Sequence, residues 1–134
     1  MTYKQLKSML DEIVARARDN FEDPNSLSIC VSDLASLIAT VNESYAVKYY
    51  EKLQLEHQKE EEFLQHKQGQ INEGESISKA DFWAKILVTK KDFEVRKADA
   101  AYRTYQRLYD SCEKQFEAMR SRLSVVKKEQ EKYG

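Results

Sequence analysis

Helix breakers are scarce in this chain. Its 134 residues hold one Pro and three Gly, and the stretch from Ser78 to Tyr133 has neither. Together with abundant Lys, Glu, Gln and Ala, that scarcity points to an extended all-α protein. Cysteine is scarce too. Cys30 and Cys112 are too few and too far apart for a disulfide framework or a metal-ligand cluster. Both sit among apolar neighbours and are expected as buried free thiols. No signal peptide or membrane-spanning run is read, because the N-terminal MTYKQLKSML is already amphipathic and charged. A cytoplasmic protein without membrane contact is the expectation.

The vocabulary of catalysis is also missing. There is no phosphate loop, nucleophile elbow or Gly-rich nucleotide turn. His57 and His66 are nine residues apart, so they do not share the i, i+4 face that zinc ligands on a helix need. Glu60, Glu61 and Glu62 have no His or Asp at ligand spacing and read as a solvated acidic face. Neither an enzyme nor a cofactor is expected.

What the chain does have is helical periodicity. Thr2 with Gln5 forms a capping box for a first helix lined by Leu6, Leu10, Ile13, Val14 and Ala17. Asp19 to Ser28 is a break containing Pro24, so residues 1–23 form either a docked helix or an arm. A second long helix is expected over 27–68, carrying Leu34, Leu37, Ile38, Val41, Tyr45, Tyr49, Leu53, Phe63 and Leu64. Its stripe thins between Glu56 and Glu62. Residues 69–76 supply a turn, with Gly69 and Gly74 able to take conformations closed to other residues.

The third helix is expected over 78–133, about 80 Å if unbroken. Ser78 with Asp81 reads as a capping box, and Ile77 with Phe82 as a hydrophobic staple. Tyr105, Leu108, Cys112, Phe116, Met119, Leu123 and Val126 recur in steps of three and four, a narrow coiled-coil-like stripe. No small core covers such a length. An extended helical hairpin in one domain, with its long C-terminal helix driving a coiled-coil-like homo-oligomer through that stripe, is the expected architecture.

Charge divides along the chain. From Met1 to Ser76, 8 basic and 14 acidic side chains leave −6; from Ile77 to Gly134, 14 basic and 9 acidic leave +5. That suits self-association or a polyanionic partner, or acidic helices lying against basic ones. Lys85, Lys90, Lys91, Arg96, Lys97, Arg103 and Arg107 crowd the first half of the third helix, with Phe82, Trp83, Phe93, Tyr102 and Tyr105 interleaved. Cations neutralise phosphates and flat rings stack on unpaired bases, so these residues, Trp83 included, are candidates for holding single-stranded DNA. The competing reading makes Phe82, Phe93 and Tyr105 core and the cations the wet side.

The stretch Asp99 to Lys127, with Asp99, Tyr105, Leu108, Asp110, Cys112, Phe116, Ala118, Met119, Ser121, Arg122, Val126 and Lys127, resembles the C-terminal helix of the UvsY-type phage recombination mediators. Lys91-Asp92 resembles a Lys-Asp pair of that family after a two-residue shift, and the long helix and Gly-containing turn follow in matching order. The resemblance implies a small all-helical, ring-like oligomer. Such a protein binds single-stranded DNA, remodels single-strand binding protein and helps load a RecA-like recombinase. One departure is clear: the family's basic Lys-x-Arg patch before the turn is replaced here by Glu60, Glu61 and Glu62, so that site does not carry over. Lys59, Lys67 or the cations of the third helix would have to replace it. The N-terminal arm is also longer than the family pattern requires.

Overall fold

A computed structural model describes residues 1–133, and these residues form four α-helices and no strand: α1 (Tyr3–Asp19), α2 (Pro24–Asn72), α3 (Ile77–Leu87) and α4 (Thr89–Tyr133). The protein is all-α. Its packing divides into two compact units, Met1–Tyr45 with Tyr105–Gly134, and Ala46–Thr104, where the sequence suggested one domain.

In the first unit the N-terminal segment is a docked helix. Thr2 Oγ1 accepts from the Gln5 N–H at 3.2 Å, while Gln5 Oε1 accepts from the Thr2 N–H at 2.9 Å, completing the expected capping box. Asn20 ends α1 by donating its backbone N–H and side-chain Nδ2 to the Arg16 carbonyl. α2 then starts at Pro24 rather than at 27. Asp23 Oδ1 accepts from the Asn25 N–H and Oδ2 from the Ser26 hydroxyl, and a proline costs little at the first helical position because its missing N–H would be unpaired there. Pro24 opens the helix instead of belonging to the break.

The core is built from three seams. Leu6, Leu10, Ile13 and Ala17 of α1 meet Leu27, Cys30, Leu34, Leu37 and Val41 of α2 and Leu108, Cys112, Met119 and Val126 of α4, with Tyr105, Phe116 and Leu123 packed at the edge. Tyr3 stacks edge-on against Tyr105, and Tyr45 against Tyr109. Each fully buried Leu contributes about 1.5–3 kcal/mol. This corrects the expectation that the α4 stripe recruits another copy. Leu108, Cys112, Met119 and Val126 are already buried by α1 and α2 of the same chain.

α2 is long and apolar enough to pass the length and composition test for a membrane span, contrary to the sequence reading. Within the fold, however, Leu27, Cys30, Leu34, Leu37 and Val41 face the other two helices of the core.

In the second unit α2 continues through Gly69 to Asn72, four residues beyond the expected end. Gly74, at φ +94°, makes the turn: its N–H bonds the Ile71 carbonyl and the Glu75 N–H bonds the Gln70 carbonyl, a Schellman closure. Gly69 is plain helix. Ser76, not Ser78, caps α3 by accepting from the Lys79 N–H at 3.3 Å, so no capping box with Asp81 forms. The expected single helix over 78–133 is broken at Val88 (φ −97°, ψ 8°). There the Thr89 hydroxyl donates to the Ile86 carbonyl at 2.8 Å and reaches that of Lys85 at 3.4 Å, competing with the backbone ladder. Among the described residues this unit buries Ala80, Ala84 and Val88 and no larger side chain.

Candidate nucleic-acid interface

A series of ion pairs joins α2 to α3 and α4 in the second unit. Lys52 bonds Asp99 at 3.0 Å, Lys59 bonds Asp92, and Lys67 reaches Asp81 at 3.7 Å. Each aspartate is also held from its own helix by the cation four residues on: Lys85 on Asp81 at 3.0 Å, Arg96 on Asp92 at 3.1 Å and Arg103 on Asp99 at 2.9 Å. Three rungs therefore repeat one plan, a carboxylate shared by an α2 lysine and a cation one turn along. Lys52 and Lys59 are seven apart, as are Asp92 and Asp99, which is the register of antiparallel helices with coiled-coil spacing.

Proton affinities follow the geometry. All three carboxyls are held below the ordinary carboxylate range, chiefly by the bonds from Lys85 to Asp81, Lys59 to Asp92 and Lys52 to Asp99. The Asp99 carboxylate raises Lys52 in turn.

The rungs use the minority charges of each partner. Acidic and basic halves do meet at Lys91, which reaches Glu62 at 3.8 Å, but the main contacts join lysines of the acidic half to aspartates of the basic half. With the rung lysines set against the rung aspartates, α2 in this unit keeps Lys48 against five glutamates. α3 and the start of α4 keep seven Lys and Arg against Glu94. The two sides of one unit thus end with opposite charge.

On α4, Lys90, Phe93, Arg96, Lys97 and Arg103 lie within an arc of about 140° at roughly 100° per residue, and all five are exposed. Phe93 is 69 % exposed, far from the core role considered for it. Among the described residues Lys90 and Lys97 have no hydrogen-bond or ion-pair partner, while the Arg96 and Arg103 side chains remain 80 % and 64 % exposed despite their rungs. This face can neutralise phosphates and offer one ring to a base.

The remaining candidates lie elsewhere. Lys91 turns inward to Glu62, Gln58 and Glu94 and is lost to the surface. Arg107 is exposed but belongs to the first unit. Lys85 and Trp83 sit on α3, where Trp83 is 42 % exposed and contacts the Phe82 ring edge-on at 5.8 Å. Lys59 and Lys67, offered as replacement DNA cations, are tied into rungs. Tyr102 is half-buried against Tyr49 and under Lys52, so it does not present a stacking face. A cleft of about 710 Å³ lies beside the rungs, with Glu56 and Glu60 on one wall and Lys85 and Arg96 on the other. Those glutamates repel a polyanion, which leaves the α4 face as the better phosphate surface.

The rungs escaped sequence reading, although a signal was present: Asp81, Asp92 and Asp99 are each followed four residues later by Lys or Arg. Among the described residues no group of three His, Cys, Asp or Glu side chains is placed to hold a metal ion. Comparison of the chain with protein-family models, with curated proteins and with solved structures finds no match.

Proposed function

We propose that this chain is a non-catalytic recombination mediator of the phage type, which holds single-stranded DNA on the α4 face, remodels single-strand binding protein and assists loading of a RecA-like recombinase in the host cytoplasm. One observation carries the reading. Asp92 and Asp99 are each shared between two cations, so Lys90, Arg96, Lys97 and Arg103 keep a positive exposed face around Phe93. Weak contacts of this kind gain strength when several copies hold one strand. The resemblance over Asp99 to Lys127 supplies the biological setting.

Fluorescence anisotropy of a labelled oligonucleotide across a salt series tests it. Single strands should bind better than duplex, with log affinity falling against log salt at a slope of about −0.7 per phosphate contact, near −3 for four cations. Absence of binding at low salt would sink the reading.

A second reading is a helical adaptor that acts through protein contacts alone. It is favoured by the exposed apolar side chains of α3, Phe82, Trp83, Ile86 and Leu87, which nucleic acid would not cover.

A further inference from the structure

The second unit inverts the usual relation between core and surface. It buries Ala80, Ala84 and Val88, while Phe82 (58 % exposed) and Ile86 stand on the side of α3 away from the two alanines, and Trp83 and Leu87 are exposed on its flank. On α2, Tyr50, Leu53, His57, Glu60 and Leu64 follow in steps of three and four and are all exposed, with Leu64 at 56 %. That stripe is turned roughly 100° from the rung lysines at about 100° per residue, and its apolar residues Tyr50, Leu53 and Leu64 are left exposed by the rest of the chain. A unit this poor in buried bulk needs its apolar faces covered.

The charges say by what. The α3 patch is bordered by the exposed Lys79 and Lys85, so it suits an acidic helix with apolar residues at coiled-coil spacing. The α2 stripe, which carries Glu60 between its apolar residues and Glu61 beside them, has that description. We infer that the α3 patch of one copy docks on the α2 stripe of a second copy. Made once per pair, the contact leaves one face of each kind free and copies add head to tail; made reciprocally, it closes a two-fold pair. It does not depend on DNA binding, because neither face includes Lys90, Lys97 or Phe93.

The test is mass by light scattering without DNA, across a dilution series. The wild-type chain should exceed the 15.7 kDa monomer mass and fall towards it on dilution. Phe82→Gln with Ile86→Gln should give monomers, as should Leu53→Gln with Leu64→Gln. An equimolar mixture of the two variants should form a pair of twice the monomer mass and go no further, because one intact contact is restored. A wild type that is monomeric throughout, variants that stay multimeric, or a mixture that stays monomeric would each overturn the proposal. Trp83 gives a readout free of substitution. Its emission should shift to shorter wavelength as wild-type concentration rises, and emission unchanged with concentration would count against the contact.

Discussion

At Asp92 one carboxylate serves two cations from different helices, and the same holds at Asp81 and Asp99. A carboxylate whose folded pKa is depressed stabilises the fold above its unfolded pKa and loses that contribution as pH falls through the folded value. The three rungs therefore act at neutral pH and fail in acid. Thermal melting followed by circular dichroism should be nearly flat from neutral pH down to about pH 4 and drop below it, and Asp92→Asn with Asp99→Asn should blunt that drop. Of the four cations on the α4 face, Lys90 and Lys97 stand outside the rungs, so changing them leaves the rungs intact. Lys90→Glu with Lys97→Glu should weaken oligonucleotide binding by about tenfold or more at low salt while helicity stays the same. Unchanged anisotropy in that double variant would mean the strand lies on other cations.

Helix ends show where composition alone misleads. Gly69 and Gly74 look equivalent in sequence, yet only Gly74 adopts a positive φ, and a Cβ at either would meet nothing within 4 Å. Gly74→Ala should therefore destabilise by about 1–2 kcal/mol through backbone strain alone. Gly69→Ala should stabilise by about 0.5–1 kcal/mol, because alanine is the better helix former. Urea titration of the two variants should give shifts of opposite sign. The break at Val88 has a different origin. With no Gly or Pro nearby, it arises where a Thr hydroxyl takes up backbone carbonyls, a competition that depends on rotamer and surroundings rather than residue type.

Across the whole molecule, stability is concentrated in the first unit, where three apolar seams interlock. Leu34→Ala there should cost about 2–5 kcal/mol, whereas Leu64→Ala on the exposed stripe should cost within about 0.5 kcal/mol in the dissociated chain. Amide exchange should accordingly be slower in α1 and the first half of α2 than in α3. Much of this was legible beforehand. The helical class, the Thr2 capping box and the core positions Leu6, Leu10, Ile13, Ala17, Leu34, Leu37 and Val41 follow from periodicity and local hydrogen bonding, whereas Tyr49, Leu53 and Leu64 of the expected α2 stripe are exposed and Leu27 joins the core. The partner of each apolar stripe does not follow from periodicity. Tyr105 to Val126 has the spacing of an oligomer seam, and the spacing is the same whether the facing helix belongs to this chain or to another. Only the tertiary packing shows α1 and α2 filling it. The cations were equally ambiguous, since a charge in sequence carries no record of its counter-ion. Folding brought Lys52, Lys59 and Lys67 to three aspartates and drew Lys91 inward, leaving the basic face of α4 and the apolar side chains of α3 exposed.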